Sequence, residues 1–319
     1  MTSETRATGP YSRRPTPVTA RSAPADRPRR RSVAPFRVGM VLPTISALLL
    51  VVGFPLAYSL YISVHRYDLT EGGIGRFVGA ANFRAVLQLD SFRIAATNTV
   101  VLTVSVVIIE LAVALGLALL LNQDRLRFRN VYLAILLIPL LVSPVAVGLV
   151  WKLLLHPDLG AVNWAAGALG LPGQSWLSGR ASAMPAVIGV DAWHETSLLL
   201  VILLAGLTSL PKDPIEAATV DGAGRAQILR TITLPLLMPV MLVAVLIRMI
   251  AAMKTYDLIY ILTGGGPGSA TETISFRIWK TGFTALDMGR AGAASILLLL
   301  VILALTLLLT RVMRLDIEA

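Results

Sequence analysis

Six stretches of the chain are almost continuously apolar: residues 38–61, 98–121, 131–155, 184–205, 234–253 and 291–310. Each has roughly the 20 mostly apolar residues a helix needs to cross a hydrocarbon core about 30 Å thick. The first reads as a span rather than a cleaved signal peptide. Its apolar run is too long, it begins well into the chain, and no small-residue cleavage site follows it. Proline falls inside the first span (Pro55) and twice in the third (Pro139 and Pro144). Membrane helices tolerate such breaks where neighbouring protein satisfies the freed carbonyls. The pattern therefore predicts an all-α integral membrane protein of six transmembrane helices, kinked and packed together, with no long soluble domain.

Composition narrows this further. Of 319 residues, 55% are hydrophobic and 14% charged, with a mean hydropathy of +0.75. Soluble domains carry roughly 25% charged residues, so a disordered chain, a disulfide scaffold and an ordinary cytosolic enzyme are excluded. The chain has no cysteine, which removes disulfides and thiolate metal sites. Its three histidines, His65, His156 and His194, show no ligand spacing.

The net charge of +10 matters through its placement. Nine arginines crowd residues 1–37, and further basic residues occupy the 122–130 and 206–232 connections and the C-terminal tail. Lys and Arg number seventeen on that side against nine in the other three connections. The positive-inside rule then puts both termini in the cytoplasm. The expected division is a disordered basic cytoplasmic tail over 1–37, a first span over 38–61 and an external loop over 62–97. A five-helix core over 98–310 and a cytoplasmic tail over 311–319 complete it. The 1–37 composition builds no core. Beside a first span it reads as a topology determinant touching anionic membrane lipid, not as a nucleic-acid binder.

The most informative connection is the cytoplasmic loop over 210–235. Asp213 is placed to N-cap a helix, Pro214 suits its first position, and Glu216 sits where a capping-box acid belongs. Asp221-Gly222 ends that helix. A second short stretch, 226–232, puts Ile228, Leu229 and Ile232 at helical spacing, and Leu234-Pro235 opens the next span. The expected product is a helix–turn–helix on the inner membrane face. Its small Ala217, Ala218, Gly222 and Ala223 let another protein's backbone approach closely.

Glu216-Ala217-Ala218, Asp221-Gly222-Ala223, Gln227 and Ile232-Thr233-Leu234-Pro235 closely resemble the EAA loop of ABC importer permeases. In that family the loop is the coupling helix that docks in a groove of the ATP-binding subunit. Two further stretches resemble carbohydrate permeases of the maltose type. One runs from Tyr256 through Gly264-Gly265-Gly266-Pro267 to Ala270-Thr271-Glu272-Thr273; the other is Phe77-Val78-Gly79-Ala80-Ala81-Asn82-Phe83. The resemblance covers about residues 38–310 and implies a type I ABC importer permease fold in a bacterial or archaeal plasma (inner) membrane. It also implies the partners: a second homologous permease, two ATP-binding subunits and an extracytoplasmic solute-binding protein. No cofactor is expected on this chain, ATP and Mg belonging to the partner ATPase. The coupling residues it implies are Glu216, Ala217, Ala218, Asp221, Gly222 and Ala223.

The glycine run 264–268 is not a phosphate loop. It lacks the Gly-Lys-Ser/Thr ending and lies on the external side. Its expected job is a tight turn, with glycine supplying positive φ and Pro267 stiffening the exit.

Charges inside the spans are costly, at about 2.5–3.5 kcal/mol near mid-bilayer on insertion scales. Span four carries Asp191, Trp193, His194 and Glu195, with Asp191, His194 and Glu195 on one helix face. Span five carries Arg248, with Thr255 two turns further along. By position, matching stretches of the maltose-type family line the sugar site. The resemblance thus makes Asp191, His194, Glu195, Arg248, Ala252 and Thr255 the candidate pathway residues, with Trp193 placed to stack on a sugar face. Two readings stay open: these charges bind solute, or Arg248 and a carboxylate only neutralise each other. Glu110 in span two stands alone and reads as a helix–helix contact. The competing function is an ion-coupled secondary transporter of a polar solute, which gives no reason for the EAA-like loop. An intramembrane enzyme would need a catalytic pattern, and neither His-Glu-x-x-His nor Gly-x-Ser-x-Gly is present.

Overall fold

A computed structural model describes residues 34–123 and 126–317. The basic tail over 1–33, Arg125 of the 122–130 connection and residues 318–319 lie outside the described residues. The chain divides into two compact units, Met1–Gly53 and Phe54–Ala319. In the first, α1 (Ala34–Leu48) contains Pro43 and ends in a π-helical turn, Leu49–Gly53. Its residues from Val41 to Val52 are exposed and almost all apolar, as a helix facing lipid requires.

The second unit opens with α2 (Phe54–Ser63) and an antiparallel hairpin, β1 (His65–Asp68) with β2 (Gly73–Phe77). In the hairpin turn, the Thr70 hydroxyl and N–H donate to Asp68 and hold its carboxyl below the usual carboxylate range. Then come α3 (Ala81–Gln88), α4 (Asp90–Leu121), α5 (Arg129–Leu141), α6 (Pro144–Leu154), α7 (Ala161–Ala168) and α8 (Ala183–Ser209). The remainder is α9 (Asp213–Val220), α10 (Arg225–Ile228), α11 (Leu234–Met253), α12 (Asp257–Leu262), α13 (Ile274–Trp279) and α14 (Met288–Ile317). The region 62–97 thus holds the hairpin, α3 and the first turns of α4. Asn82 explains the motif around it, because its Nδ2 donates to the carbonyls of Ser63 and His65 and fixes the exit from α2.

Among the described residues, five helices are long and apolar enough to cross a membrane: Val41–Ser63, Asp90–Leu121, Ala183–Ser209, Arg225–Met253 and Met288–Arg311. The third apolar stretch departs from expectation. It is a broken pair, α5 and α6, bent by 97°, not one kinked helix. Pro144 disfavours helical geometry at the residue before it, and Ser143 is extended there (φ −65°, ψ 147°) and caps α6 with its hydroxyl. Pro139, two residues before the end of α5, is absorbed without a break.

The second correction concerns the approach to span five. Residues 226–232 are not a separate helix, because α10 runs through a π turn (Leu229–Thr233) into α11. Pro235 cannot donate a helical hydrogen bond. The backbone widens instead of breaking, and the Leu234 N–H reaches back to the Leu229 carbonyl.

Packing follows side-chain size. Ala114 and Ala118 of α4, both fully buried, let that helix lie close against Leu199, Leu203 and Leu207 of α8 and Leu237 of α11. Gly206 serves the same purpose on α8, since a Cβ there would stand 2.8 Å from Val240. At the other end of α8, Val187 and Val190 pack with Leu258, Ile259 and Phe276. Gly289 and Gly292 bring the start of α14 close against β1 and α2.

Candidate functional site

Three helices meet through charge. Arg248 of α11 is 1% exposed, and Glu110 of α4 is fully buried beside it. The guanidinium donates from Nε to Glu110 Oε2 at 2.5 Å and from Nη2 to Oε1 at 2.9 Å. Nη2 also donates to Asp191 of α8. The sequence left Arg248 to neutralise a carboxylate of span four, Asp191 or Glu195, and marked Glu110 as a helix–helix contact; the structure gives Arg248 both Asp191 and Glu110. Glu110 is in fact the two-bond partner. Its only advance signal was being the sole charged residue in 98–121.

Glu195 does not reach Arg248. Its Oε1 sits 3.2 Å from His194 Nδ1, and His194 Nε2 lies 3.0 Å from the Val142 carbonyl. That carbonyl belongs to the α5–α6 break, so His194 ties α8 to the discontinuity. Ser197, one turn on, adds a second tie by donating to the Leu136 carbonyl at 2.7 Å. Polar residues on α8 thus satisfy the broken span, as buried backbone demands.

A cavity of about 170 Å³ opens beside the cluster, lined by Pro144, Asp191, His194, Glu195, Arg248, Ala251, Lys254, Thr255, Tyr256, Asp257 and Leu258. Five of the seven candidate pathway residues border it. Ala252 does not; it is 1% exposed within the apolar core around Ile259, one residue and hence about 100° round the helix from Ala251. Trp193 does not either. Two positions from Asp191, it points away, meets Trp151 edge-on with centroids 5.5 Å apart, and lines a mostly apolar pocket along α4, α5 and α8. Pro144 and Tyr256 were not among the pathway candidates, since only the tertiary fold carries them to the cavity wall. The wall offers carboxylates, a hydroxyl and an ammonium, the groups that hydrogen-bond polyhydroxylated solutes.

The loop between α8 and α11 is built differently. α9 starts at Asp213 with Lys212 as N-cap, and no side chain makes a cap bond. Asp213 is therefore the first helical residue, not the cap, and the expected capping box is absent. Asp213 and Glu216 instead occupy the first turn, where the helix dipole favours acids. Gly222, at φ +83°, ends the helix in a Schellman motif: Ala223 N–H reaches Ala218 O at 2.9 Å and Gly222 N–H reaches Thr219 O at 3.2 Å. Glu216, Ala217, Asp221 and Gly222 are exposed, Ala218 and Ala223 half-buried, and Val220 is 88% exposed.

The glycine run forms the expected turn, with φ of +60°, +84° and +65° at Gly264, Gly265 and Gly268. α4 holds it: Asn98 Nδ2 donates to Ser269 O and Glu272 O, and Thr99 Oγ1 accepts the Ile274 N–H. Glu272, 1% exposed, pairs with Arg277 at 3.1 Å. Among the described residues, no three His, Cys, Asp or Glu side chains are grouped to hold a metal ion.

Residues 111–315 match the family described as the binding-protein-dependent transport system inner membrane component. A probable ABC transporter permease protein, y4oQ, of Sinorhizobium fredii is 38% identical, over 90% of this chain and 92% of its own length. The trehalose/maltose transport system permease protein MalF of Thermococcus litoralis is 37% identical, over 86% of this chain and 92% of its own. Among solved structures, a chain of a bacterial alginate ABC transporter, in complex with a periplasmic protein bound to an alginate pentasaccharide, superposes with a TM-score of 0.75. It is 25% identical and covers 86% of this chain and 92% of its own.

Proposed function

This chain belongs to the binding-protein-dependent transport system inner membrane component family and is a multi-pass ABC transporter permease of the sugar type; on that premise we propose that it forms half the translocation pathway of an ATP-driven sugar importer. The observation that carries the coupling role is α9, a short helix with exposed small residues and a closed C-terminus, joined at both ends to helices that line the cavity. With both termini in the cytoplasm, α9 faces an ATP-binding subunit. ATP and Mg bind there, and this chain carries no cofactor. A second homologous permease completes the pathway, and a second ATPase completes the motor. An external solute-binding protein delivers the sugar; the periplasmic protein bound to the related alginate transporter supports that partner.

The geometry suggests how force reaches the cavity. α9 is anchored to α8, which carries Asp191 and Glu195, and through α10 to α11, which carries Arg248. Asp191 lies 18 residues from the end of α8, on the order of 27 Å at 1.5 Å per residue. Closure of the ATPase pair moves α9, and the α8–α11 pair follows as a body. ATP acts only by contacting one state better than the other.

Ala217→Trp and Val220→Asp test the coupling, because both alter exposed side chains and leave the fold alone. Each is expected to cut sugar-stimulated ATP hydrolysis by the purified complex about tenfold or more, equal to about 1.4 kcal/mol of coupling. The melting temperature of the isolated chain should not change. Gly222 is a poorer probe, since its positive φ strains any replacement. Wild-type stimulation and full co-purification of the ATPase in both variants would overturn the role of α9. Transport by the chain alone under a proton or sodium gradient would instead favour the secondary-transporter alternative.

A further inference from the structure

Between α6 and α8 the chain makes a folded excursion that no span contains. Residues 159–179 include no charged side chain, in a protein with a net charge of +10. One residue consumes the polarity of the segment. Asn163 donates from Nδ2 to Pro157 O at 2.7 Å and to Gln174 O at 2.9 Å. Its Oδ1 accepts from Gln174 N at 3.2 Å and from Trp176 Nε1 at 2.8 Å. All four hydrogen-bonding positions of the amide are thus filled. Gly170, at φ +74°, closes α7 with a Schellman turn in which the Leu171 N–H reaches Ala166 O at 2.9 Å.

The two sides of this segment differ. Val162, Trp176 and Leu177 pack onto the core near the start of α8. Leu159, Trp164 and Leu169 are 82%, 77% and 78% exposed, and Leu171 is exposed beside them. Contiguous apolar surface of this kind is kept out of water in stable proteins. At eight residues, about 12 Å, α7 is too short to cross a bilayer. It lies between the ends of two membrane segments, at the end of α8 opposite α9. Its tryptophan has the apolar body and single N–H that suit the headgroup boundary. The rim of a protein-binding patch is polar, and residues 159–179 hold no charged side chain to build one.

We infer that α7 and the turn after it lie in the membrane interface, with Trp164, Leu169 and Leu171 in lipid at headgroup level. The occupant of the exposed face is the bilayer itself. Through Asn163 and Trp176 the embedded segment holds the start of α8 and the end of α6 at a fixed depth. The inference uses the membrane placement of the chain and not its sugar role, so either one stands if the other fails.

The absence of cysteine makes the test direct, because any introduced cysteine is unique in the chain. Spin labels are placed at Trp164→Cys, Leu169→Cys and, as a water-facing control, Asp158→Cys. The full chain is then reconstituted in lipid nanodiscs. At 164 and 169, molecular oxygen should relax the label more than a water-soluble nickel chelate does, the reverse of the order at 158. Nickel access equal to that at 158 would show a face in water and overturn the inference. Protection from both agents would show a face covered by protein and overturn it equally.

Discussion

Arg248→Met is expected to abolish the folded chain rather than merely slow transport. Among the described residues, the guanidinium is the only basic partner of two carboxylates buried at 0% and 5% exposure, Glu110 and Asp191. Removing one member of such a cluster typically costs about 3–5 kcal/mol, because the remaining charge is stranded. That is a large part of the stability of an ordinary domain. The variant should unfold in detergent well below the wild-type temperature and become sensitive to protease. The neutral triple variant Glu110→Gln, Asp191→Asn, Arg248→Met should recover most of that loss, since buried ion pairs are often replaced by neutral side chains at no cost. Its transport rate then separates the two readings of the cluster. Recovery of folding and transport together makes the triad a tie between α4, α8 and α11. Recovery of folding alone makes it a contact for the solute. A stable Arg248→Met chain would refute the cluster as described.

Glu195 provides the internal contrast. It touches His194 and not Arg248, and its side chain is 23% exposed toward the cavity. Glu195→Gln should leave the melting temperature close to wild type and show its effect, if it contacts sugar, in transport alone. Periodicity placed Asp191, His194 and Glu195 on one face, and the structure does put all three on the cavity wall. Periodicity does not say which carboxylate an arginine on another helix, 57 residues from Asp191, selects. That choice depends on the rotation of α11 against α4 and α8, set by the packing of Ala114, Ala118 and Gly206. Glu110 was underrated for the same reason.

Hydropathy located the apolar segments because a bilayer enforces a length, but it is blind to polar helical turns that continue them. α4 therefore starts eight residues before its apolar stretch, at Asp90, and α10 joins α11 through a π turn. Prolines were legible as disturbances, not by outcome. Pro139 is absorbed, Pro235 is accommodated by a wider turn, and Pro144 breaks the span. The break holds only because His194 and Ser197 of α8 hydrogen-bond carbonyls of α5 and the break itself, a partnership no local rule reveals. The helix of the 210–235 loop was legible in the sequence, and Gly222 in its turn, since both are local. The cap was misplaced by one residue because Asp213 satisfies the first-turn charge preference as well as the capping preference.

Gly265→Val should be strongly damaging, and the reason is twofold. At φ +84° a β-branched residue meets left-handed strain of about 1–2 kcal/mol. A Cβ there would also stand 2.7 Å from Phe276 Cε1 and 3.1 Å from Cδ1. Phe276 cannot retreat freely, because it stacks on Tyr256 and lies against Trp279, with centroids 6.2 Å and 5.7 Å away. Overpacking of this kind adds about 1–3 kcal/mol. Gly264→Val isolates the first effect, since its φ is +60° but nothing lies within 4 Å of its Cβ position. Melting temperatures of the purified chain should therefore fall in the order wild type, Gly264→Val, Gly265→Val. Transport should fall more steeply at Gly265, because displacing Phe276 moves Tyr256, which forms part of the cavity wall. Gly265→Val with Phe276→Leu, which makes room at the ring, should recover part of both losses. Equal melting temperatures for the two single variants would mean that the Phe276 contact contributes nothing and that the turn alone accounts for the glycine.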